Sequence, residues 1–329
     1  MSELIKIFKG GSLSQTSLIR KKNKLFVRKK ISLIENREYG FQRWSTQMKK
    51  IQLYNSQFKN CFPKILNAGV KNNFAFFDIE FYPNSKNCFE YLNTNKTINV
   101  KKIVKKILIK TKPLYKKKIS TVKNNIQLYF YEEILNKIKI IRKNKFFNKF
   151  LNLKFFYMNN QKVTQIENNL SFLREIFYKN ADYIYESFTH GNLTLENILI
   201  CKDKIIFIDP YEENYVDTMY NDYSQILQSC NSHYELLNLT NINIMNNKIK
   251  YDYSVPTNIS NFNKYFKNYL LNNFSFNEIM LIRAFEISQF VRMIPFKLVI
   301  DNNKALLFYG LSCKLFCDLV NDYRNKKKF

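Results

Sequence analysis

Glycine, proline and cysteine each occur only six times in 329 residues, histidine twice and tryptophan once. The six cysteines (Cys61, Cys88, Cys201, Cys230, Cys313, Cys317) follow no framework spacing, which excludes a disulfide scaffold. Cys313 and Cys317 lie one helical turn apart, but no histidine or second cysteine pair stands near enough to complete a zinc set. Long apolar runs are also missing. None approaches the ~18–20 residues that cross a bilayer, and the N-terminus has no apolar signal-peptide core. A cytoplasmic chain with reduced, mostly buried thiols is the expectation. Acidic residues are scarce too: 26 Asp and Glu face 53 Lys and Arg, a net charge of +27.

Such a charge points to nucleic acid, an anionic membrane surface or a polyanionic substrate. It also has a compositional source. Lys, Asn, Ile, Phe and Tyr dominate, and all five use A/T-rich codons. The basic excess peaks between Lys101 and Phe150, where sixteen Lys or Arg meet only Glu132 and Glu133. The stretch KKIVKKILIKTKPLYKKK carries no recognisable DNA- or RNA-binding motif, and its apolar residues fit the inner face of a helix. What remains is globular in kind, since 46% of the residues are hydrophobic and the length suffices for one large core or two modest ones.

The order of elements is sheet first, helices after. LIKIF and SLIRK flank a Gly-Gly-Ser turn, KLFVRKKIS follows the turn pair Lys22-Asn23, and a helix is predicted from about Glu35 to Gln57 around Trp44. FPKIL and FAFFDIEFY read as two more strands, and Pro83-Asn84-Ser85 marks a boundary. Helical spacing then covers Val100–Lys118, Ile126–Asn152, Asn168–Tyr185 and Ile279–Val320, the last broken at Pro295. This is an α+β chain with a small antiparallel-sheet lobe over residues 1–84 and a larger helical lobe over 85–329.

Chemistry concentrates in FTHGNLTLENILI, residues 188–200, and IIFIDP, residues 205–210. ILIC and IIFI are short apolar strands joined by Lys202-Asp203-Lys204. A hairpin centred on Asp203 sets Asn197 opposite Asp209, with Cβ atoms ~4.5–5.5 Å apart. An amide oxygen and a carboxylate at that distance suit a hard cation such as Mg²⁺. An isolated pair of this kind is better explained by a turn cap and a strand end; the flanking residues overturn that reading.

His190-Gly191-Asn192, then Asn197, then Ile208-Asp209-Pro210 resemble the aminoglycoside phosphotransferase and choline kinase superfamily, small-molecule kinases of the protein-kinase-like fold. Members carry H-G-D-x-x-x-x-N followed by I-D. LTLENIL and the helix-opening NDYSQILQS at Asp222 look like members associated with bacterial surface polysaccharides. The resemblance implies a two-lobed fold with a hinge near residues 79–85, and ATP and Mg²⁺ as cofactors. Gly10, Gly11, Ser12 and Ser14 would form the nucleotide loop and Lys29 would contact the α- and β-phosphates, with Lys30 as the alternative one residue on. Backbone groups of Glu80 and Phe81 would meet the adenine edge. Asn197 and Asp209 would hold the metal, and the acceptor would be a hydroxyl on a small molecule. His190 would hold the loop rather than act as a base. His233 and Arg292 are further candidates near the acceptor.

Two positions depart from the pattern. The lysine normally pairs with a helix glutamate, but only Glu35 and Glu38 lie between Lys29 and Asp78, and Gln47 stands nearer the usual spacing. Asn192 occupies the place of the catalytic aspartate. A neutral amide orients a hydroxyl but takes no proton, and a general base is worth ~10²–10⁴-fold, roughly 3–5 kcal/mol. Three readings follow: a kinase using another acid such as Glu196, a slow kinase, or a nucleotide-binding pseudokinase. A basic nucleic-acid-associated protein is the outlying alternative.

Overall fold

In the computed structural model the described residues are all except Met1, 9–13, Glu35, Lys96, Lys117, Val122, 182–183, Asp203 and Glu212; of 118–121 and Lys123 only the backbone is described. The glycine-rich segment Gly10, Gly11 and Ser12 therefore lies outside the described residues. The chain divides into two compact units. The first comprises Met1–Tyr91, Lys106–Leu114 and His190–Asn214, and the second Leu92–Lys105, Tyr115–Thr189 and Tyr215–Phe329.

The first unit is built on an antiparallel sheet of five strands: β1 (Ser2–Phe8), β2 (Ser14–Lys21), β3 (Lys24–Ser32), β4 (Ile65–Lys71) and β5 (Phe74–Glu80), in the order β1-β2-β3-β5-β4. Lys22 and Asn23 both take positive φ, 46° and 61°, the left-handed pair that matches a two-residue turn to the twist of its strands. Asn72 and Asn73 repeat the device at 50° and 59° between β4 and β5, and β4 itself begins at Ile65, later than FPKIL suggested. Helix α1 (Arg37–Gln57) starts at Asn36, whose side chain accepts from the Tyr39 N–H. It buries Gly40, Trp44, Gln47, Ile51 and Tyr54, one face at a spacing of three and four. Gly40 lets the helix come close to the end of β3, because a Cβ there would stand 2.6 Å from the Ser32 carbonyl oxygen.

The hairpin of the first unit pairs Ile198 with Phe207 and Cys201 with Lys204, leaving a two-residue loop. This register is one residue off the expected one. Asn197 therefore faces Ile208, whose N–H donates to the Asn197 carbonyl at 3.0 Å, and Asp209 lies one residue beyond the pair.

The second unit is helical around Phe276–Ile300, which buries residues on all sides from Ile279 to Ile294. Tyr129 and Phe177 pack on its Phe285 with ring centroids 5.1 and 5.0 Å away, and each fully buried ring contributes roughly 2–3 kcal/mol. The predicted break at Pro295 does not occur; the helix runs through the proline to Ile300. The interruption sits at Asp301, with φ −158° and ψ 113°, whose carboxylate accepts from the N–H groups of Asn303 and Lys304 and so opens the next helix, Asn302–Arg324. The stretch 126–152 also divides, at Asn144, which caps Lys145–Leu151. A four-stranded sheet made of Phe156–Met158, Gln161–Val163, Ile242–Met245 and Lys248–Tyr251 completes the unit. No helix among the described residues is long and apolar enough to cross a membrane.

Asp301→Ala removes both cap acceptors and is expected to cost about 1 kcal/mol. Chemical denaturation would measure it, and an unchanged midpoint would show that the cap contributes nothing.

Candidate functional site

The site assembles inside the first unit, from β3, α1 and the two ends of the hairpin. On β3, Lys29 and Val27 share a face, as alternation requires. The Lys29 ammonium donates to Gln47 Oε1 at 2.8 Å and to Asp209 Oδ1. Lys30 points elsewhere, its ammonium 3.9 Å from the centre of the Phe74 ring. Gln47 completes a triangle: its Nε2 donates to Asp209 Oδ1 at 3.1 Å and to the Pro210 carbonyl at 2.7 Å. Gln47 is thus the partner left open between it, Glu35 and Glu38. A glutamate could accept from Lys29 but could not donate to Asp209 or Pro210.

Partial desolvation would raise the Asp209 pKa, but the Lys29 charge and the bonds from Lys29 and Gln47 outweigh it and hold the carboxyl below its ordinary range. Asp209 sits at φ +54°, a left-handed conformation that few residue types accept and that turns its side chain back toward β3. Its Oδ2 makes no hydrogen bond among the described residues, and the side chain is 47% exposed. Asn197 is oriented by donation from Nδ2 to the Asn192 carbonyl at 2.8 Å, which leaves its Oδ1 unclaimed. Two hard oxygen donors without protein partners among the described residues would suit a hard cation.

His190 joins the loop to the hairpin. It is fully buried, 5.6 Å between ring centroids from both Phe62 and Phe207. Its Nδ1 accepts from the Asn192 N–H at 3.1 Å, so Nε2 carries the proton and donates to the Ile208 carbonyl at 2.9 Å. Burial, reinforced by Lys50, lowers its pKa to about 3, so the ring stays neutral and has a holding role. Gly191 has φ +81°, and a Cβ there would meet the Tyr211 carbonyl oxygen at 2.6 Å and Asn214 Nδ2 at 2.3 Å, so only glycine fits.

Lys50 was not singled out from sequence. Its Nζ donates to the Tyr211 carbonyl at 2.5 Å and lies 3.3 Å from where a Gly191 Cβ would be. The available signal was its place three residues after Gln47, on the same helical face. Of the remaining candidates, Ser14 begins β2 opposite Ile31, two residues before Thr16, the partner of Lys29. The Glu80 N–H donates to the Lys64 carbonyl at 3.1 Å and so is already engaged, while Phe81 follows directly after β5. Glu196 is exposed on its 3₁₀ turn.

In the second unit Asp222 is buried and accepts from the Tyr115 hydroxyl at 2.9 Å. His233 stands 3.1 Å from the Tyr253 hydroxyl, with its pKa lowered by burial to about 4. Arg292 lies 3.8 Å from Glu133.

No protein-family model and no curated protein matches the chain. Solved structures do. The crystal structure of aminoglycoside phosphotransferase APH(4)-Ia superposes with a TM-score of 0.56 over 96% of this chain and 93% of that one, at 8% identity. A thermostable mutant of the same enzyme, in ternary complex with AMP-PNP and hygromycin B, superposes with a TM-score of 0.55 over 95% and 92%, also at 8% identity. The fold is that of an aminoglycoside phosphotransferase. The expected α+β protein-kinase-like architecture is therefore the observed one. Within this fold, Lys29, Gln47 and Asp209 join the sheet, its helix and the hairpin end in one hydrogen-bonded group.

Two tests follow. In the folded chain His190 stays neutral down to about pH 3, whereas unfolded it takes a proton near 6.5. The unfolded state then binds one more proton across that window, so stability falls with falling pH by up to about 1.4 kcal/mol per unit. Urea midpoints from pH 7 to 4 are expected to decline less steeply in His190→Gln; equal slopes would overturn the assignment. Gln47→Glu loses two donated bonds and sets a carboxylate against Asp209, which is expected to destabilise by about 1–3 kcal/mol at pH 7. A melting temperature at or above that of the native chain would contradict this.

Proposed function

We propose that the protein is an ATP- and Mg²⁺-dependent phosphotransferase acting on a hydroxyl of a small molecule, a sugar or other alcohol, and that its chemical step is slow. The observation that carries this reading is the Lys29–Gln47–Asp209 group, assembled on the fold of a small-molecule phosphotransferase. Lys29 would bind and orient the α- and β-phosphates, and the segment Gly10, Gly11, Ser12 and Ser14 would cover them through backbone N–H groups. Phe81, just beyond β5, would meet the adenine edge together with the carbonyl of Glu80. Asn197 and Asp209 would hold Mg²⁺, which when bound neutralises phosphate charge.

Asn192 gives the proposal its particular form. In the reaction the acceptor oxygen bonds to the γ-phosphorus, the bond to the β-phosphate oxygen breaks, and ADP leaves. Asn192 orients the acceptor hydroxyl through its amide and takes no proton, so the hydroxyl proton leaves late, to a phosphoryl oxygen or water. The transition state is loose, so positioning and charge stabilisation still supply most of the acceleration. The residues proposed for phosphate and metal, Lys29, Asn197 and Asp209, are present while Asn192 stands where the base would be, which also supports a second reading as a pseudokinase binding nucleotide and a partner.

The decisive comparison is Mg²⁺-dependent ATP binding and turnover in the native chain and Asn192→Asp, across a panel of sugar and polyol acceptors. The expected outcome is unchanged nucleotide affinity and kcat raised by about 10²–10⁴. Turnover seen only in the aspartate variant favours the pseudokinase. Absence of nucleotide binding at about millimolar ATP, a free energy weaker than roughly −4 kcal/mol, would remove both readings.

A further inference from the structure

Strand β1 forms one edge of the five-stranded sheet, with β2 as its one neighbour in the sheet. Every residue from Ser2 to Ile7 is exposed, Leu4 at 59% and Ile7 at 54%. An edge strand of seven residues is a template for another strand, and uncovered apolar side chains make it more so.

The register on β2 decides which of these side chains share a face. Leu4 lies opposite Ile19, whereas Lys6 lies opposite Leu18, so Ile5 is the extra residue of a bulge. One face therefore carries Glu3, Lys6 and Phe8, opposite Arg20, Leu18 and Thr16. The other carries Ser2, Leu4 and Ile7, opposite Lys21, Ile19 and Ser17. Without the bulge, Glu3 and Lys6 would point to opposite faces. On the face they share, Arg20 Nη1 donates to Glu3 Oε2 at 3.1 Å.

We propose that two copies of the chain pair edge to edge through β1, antiparallel, joining two five-stranded sheets into one of ten strands. A two-fold axis perpendicular to the sheet at Leu4 keeps each face of β1 on its own side. Leu4 then meets the second copy's Leu4. With Ile5 skipped in both strands, Glu3 stands beside the second copy's Lys6, and Lys6 beside the second copy's Glu3. The charge row runs Arg20, Glu3 and the second copy's Lys6, alternating in sign. On the opposite face four aliphatic side chains line up across the joint sheet: Ile19, Leu4 and the second copy's Leu4 and Ile19. Cross-strand pairs of both kinds stabilise a sheet. The occupant is a second copy because the edge is its own complement in charge as well as in apolar pattern. The sheet's other edge, β4, has Lys71 as its one charged residue and offers no such self-match. The interface uses none of the residues assigned to phosphate, metal or acceptor.

Sedimentation velocity of the full chain from about 1 to 100 µM is expected to show a concentration-dependent dimer. Glu3→Lys and Lys6→Glu each turn both attractive cross-strand pairs into repulsive ones, and each weakens the dimer about tenfold or more. An equimolar mixture of the two variants restores it, because a wholly basic edge then faces a wholly acidic one. Leu4→Cys under mild oxidation gives a disulfide-linked dimer, since directly opposed Cα atoms about 4.5–5.5 Å apart lie within disulfide reach. Ile7→Cys and the native chain do not. Circular dichroism checks that each variant is folded, and the mild Leu4→Cys change keeps the test available if a charge variant is not. A native chain that stays monomeric throughout overturns the proposal, whatever other chain takes the edge. So do charge variants that dimerise like the native chain, a mixture no tighter than either variant alone, or equal cross-linking at Ile7→Cys.

Discussion

The first unit depends on one buried imidazole. His190 is held between Phe62 and Phe207, and its two ring nitrogens are spent on the Asn192 N–H and the Ile208 carbonyl. Its own carbonyl accepts from the Tyr211 N–H at 3.0 Å. Two bonds, to Ile208 and from Tyr211, and the ring contact with Phe207 thus tie the loop 190–192 to the hairpin end at 207–211. Burial, with the Lys50 charge nearby, disfavours the imidazolium, so the ring is kept neutral, and neutrality fixes the tautomer that both bonds require.

On that platform sits a group of three side chains whose chemistry differs from the usual lysine–glutamate pair. Gln47 accepts from Lys29 while donating to Asp209, and this double role lets the lysine and the carboxylate approach each other directly. The arrangement removes one negative charge at Gln47, and Asn192 removes another. Asp209 is then the carboxylate at the centre of a group flanked by Lys29 and, through Tyr211, by Lys50. Under the proposed phosphotransferase reading, a site with so little acid would favour incoming phosphate charge while giving up the group that would accept a proton.

Local pattern carried a good part of this. The paired left-handed residues Lys22 and Asn23 belong to a turn legible from two letters, and Asn36 caps α1 where the helix was expected to begin. Where local reading failed, a non-local contact had the deciding weight. Pro295 breaks nothing: the helix before it is buried on all sides as far as Ile294, and that packing outweighs one missing N–H. The hairpin register slipped by one because a two-residue loop closes it, and a register follows from the turn rather than from the apolar runs beside it.

By itself the sequence determined the element order, the spacing from His190 to Asn197 to Asp209, and the absence of an acid at Asn192, since these are properties of neighbours along the chain. Only the tertiary structure decided that Gln47 meets Lys29 and that Asp209 turns back at positive φ. Each of these depends on distances between residues far apart in sequence. Such distances are set by how strands and helices pack, and no local propensity encodes them.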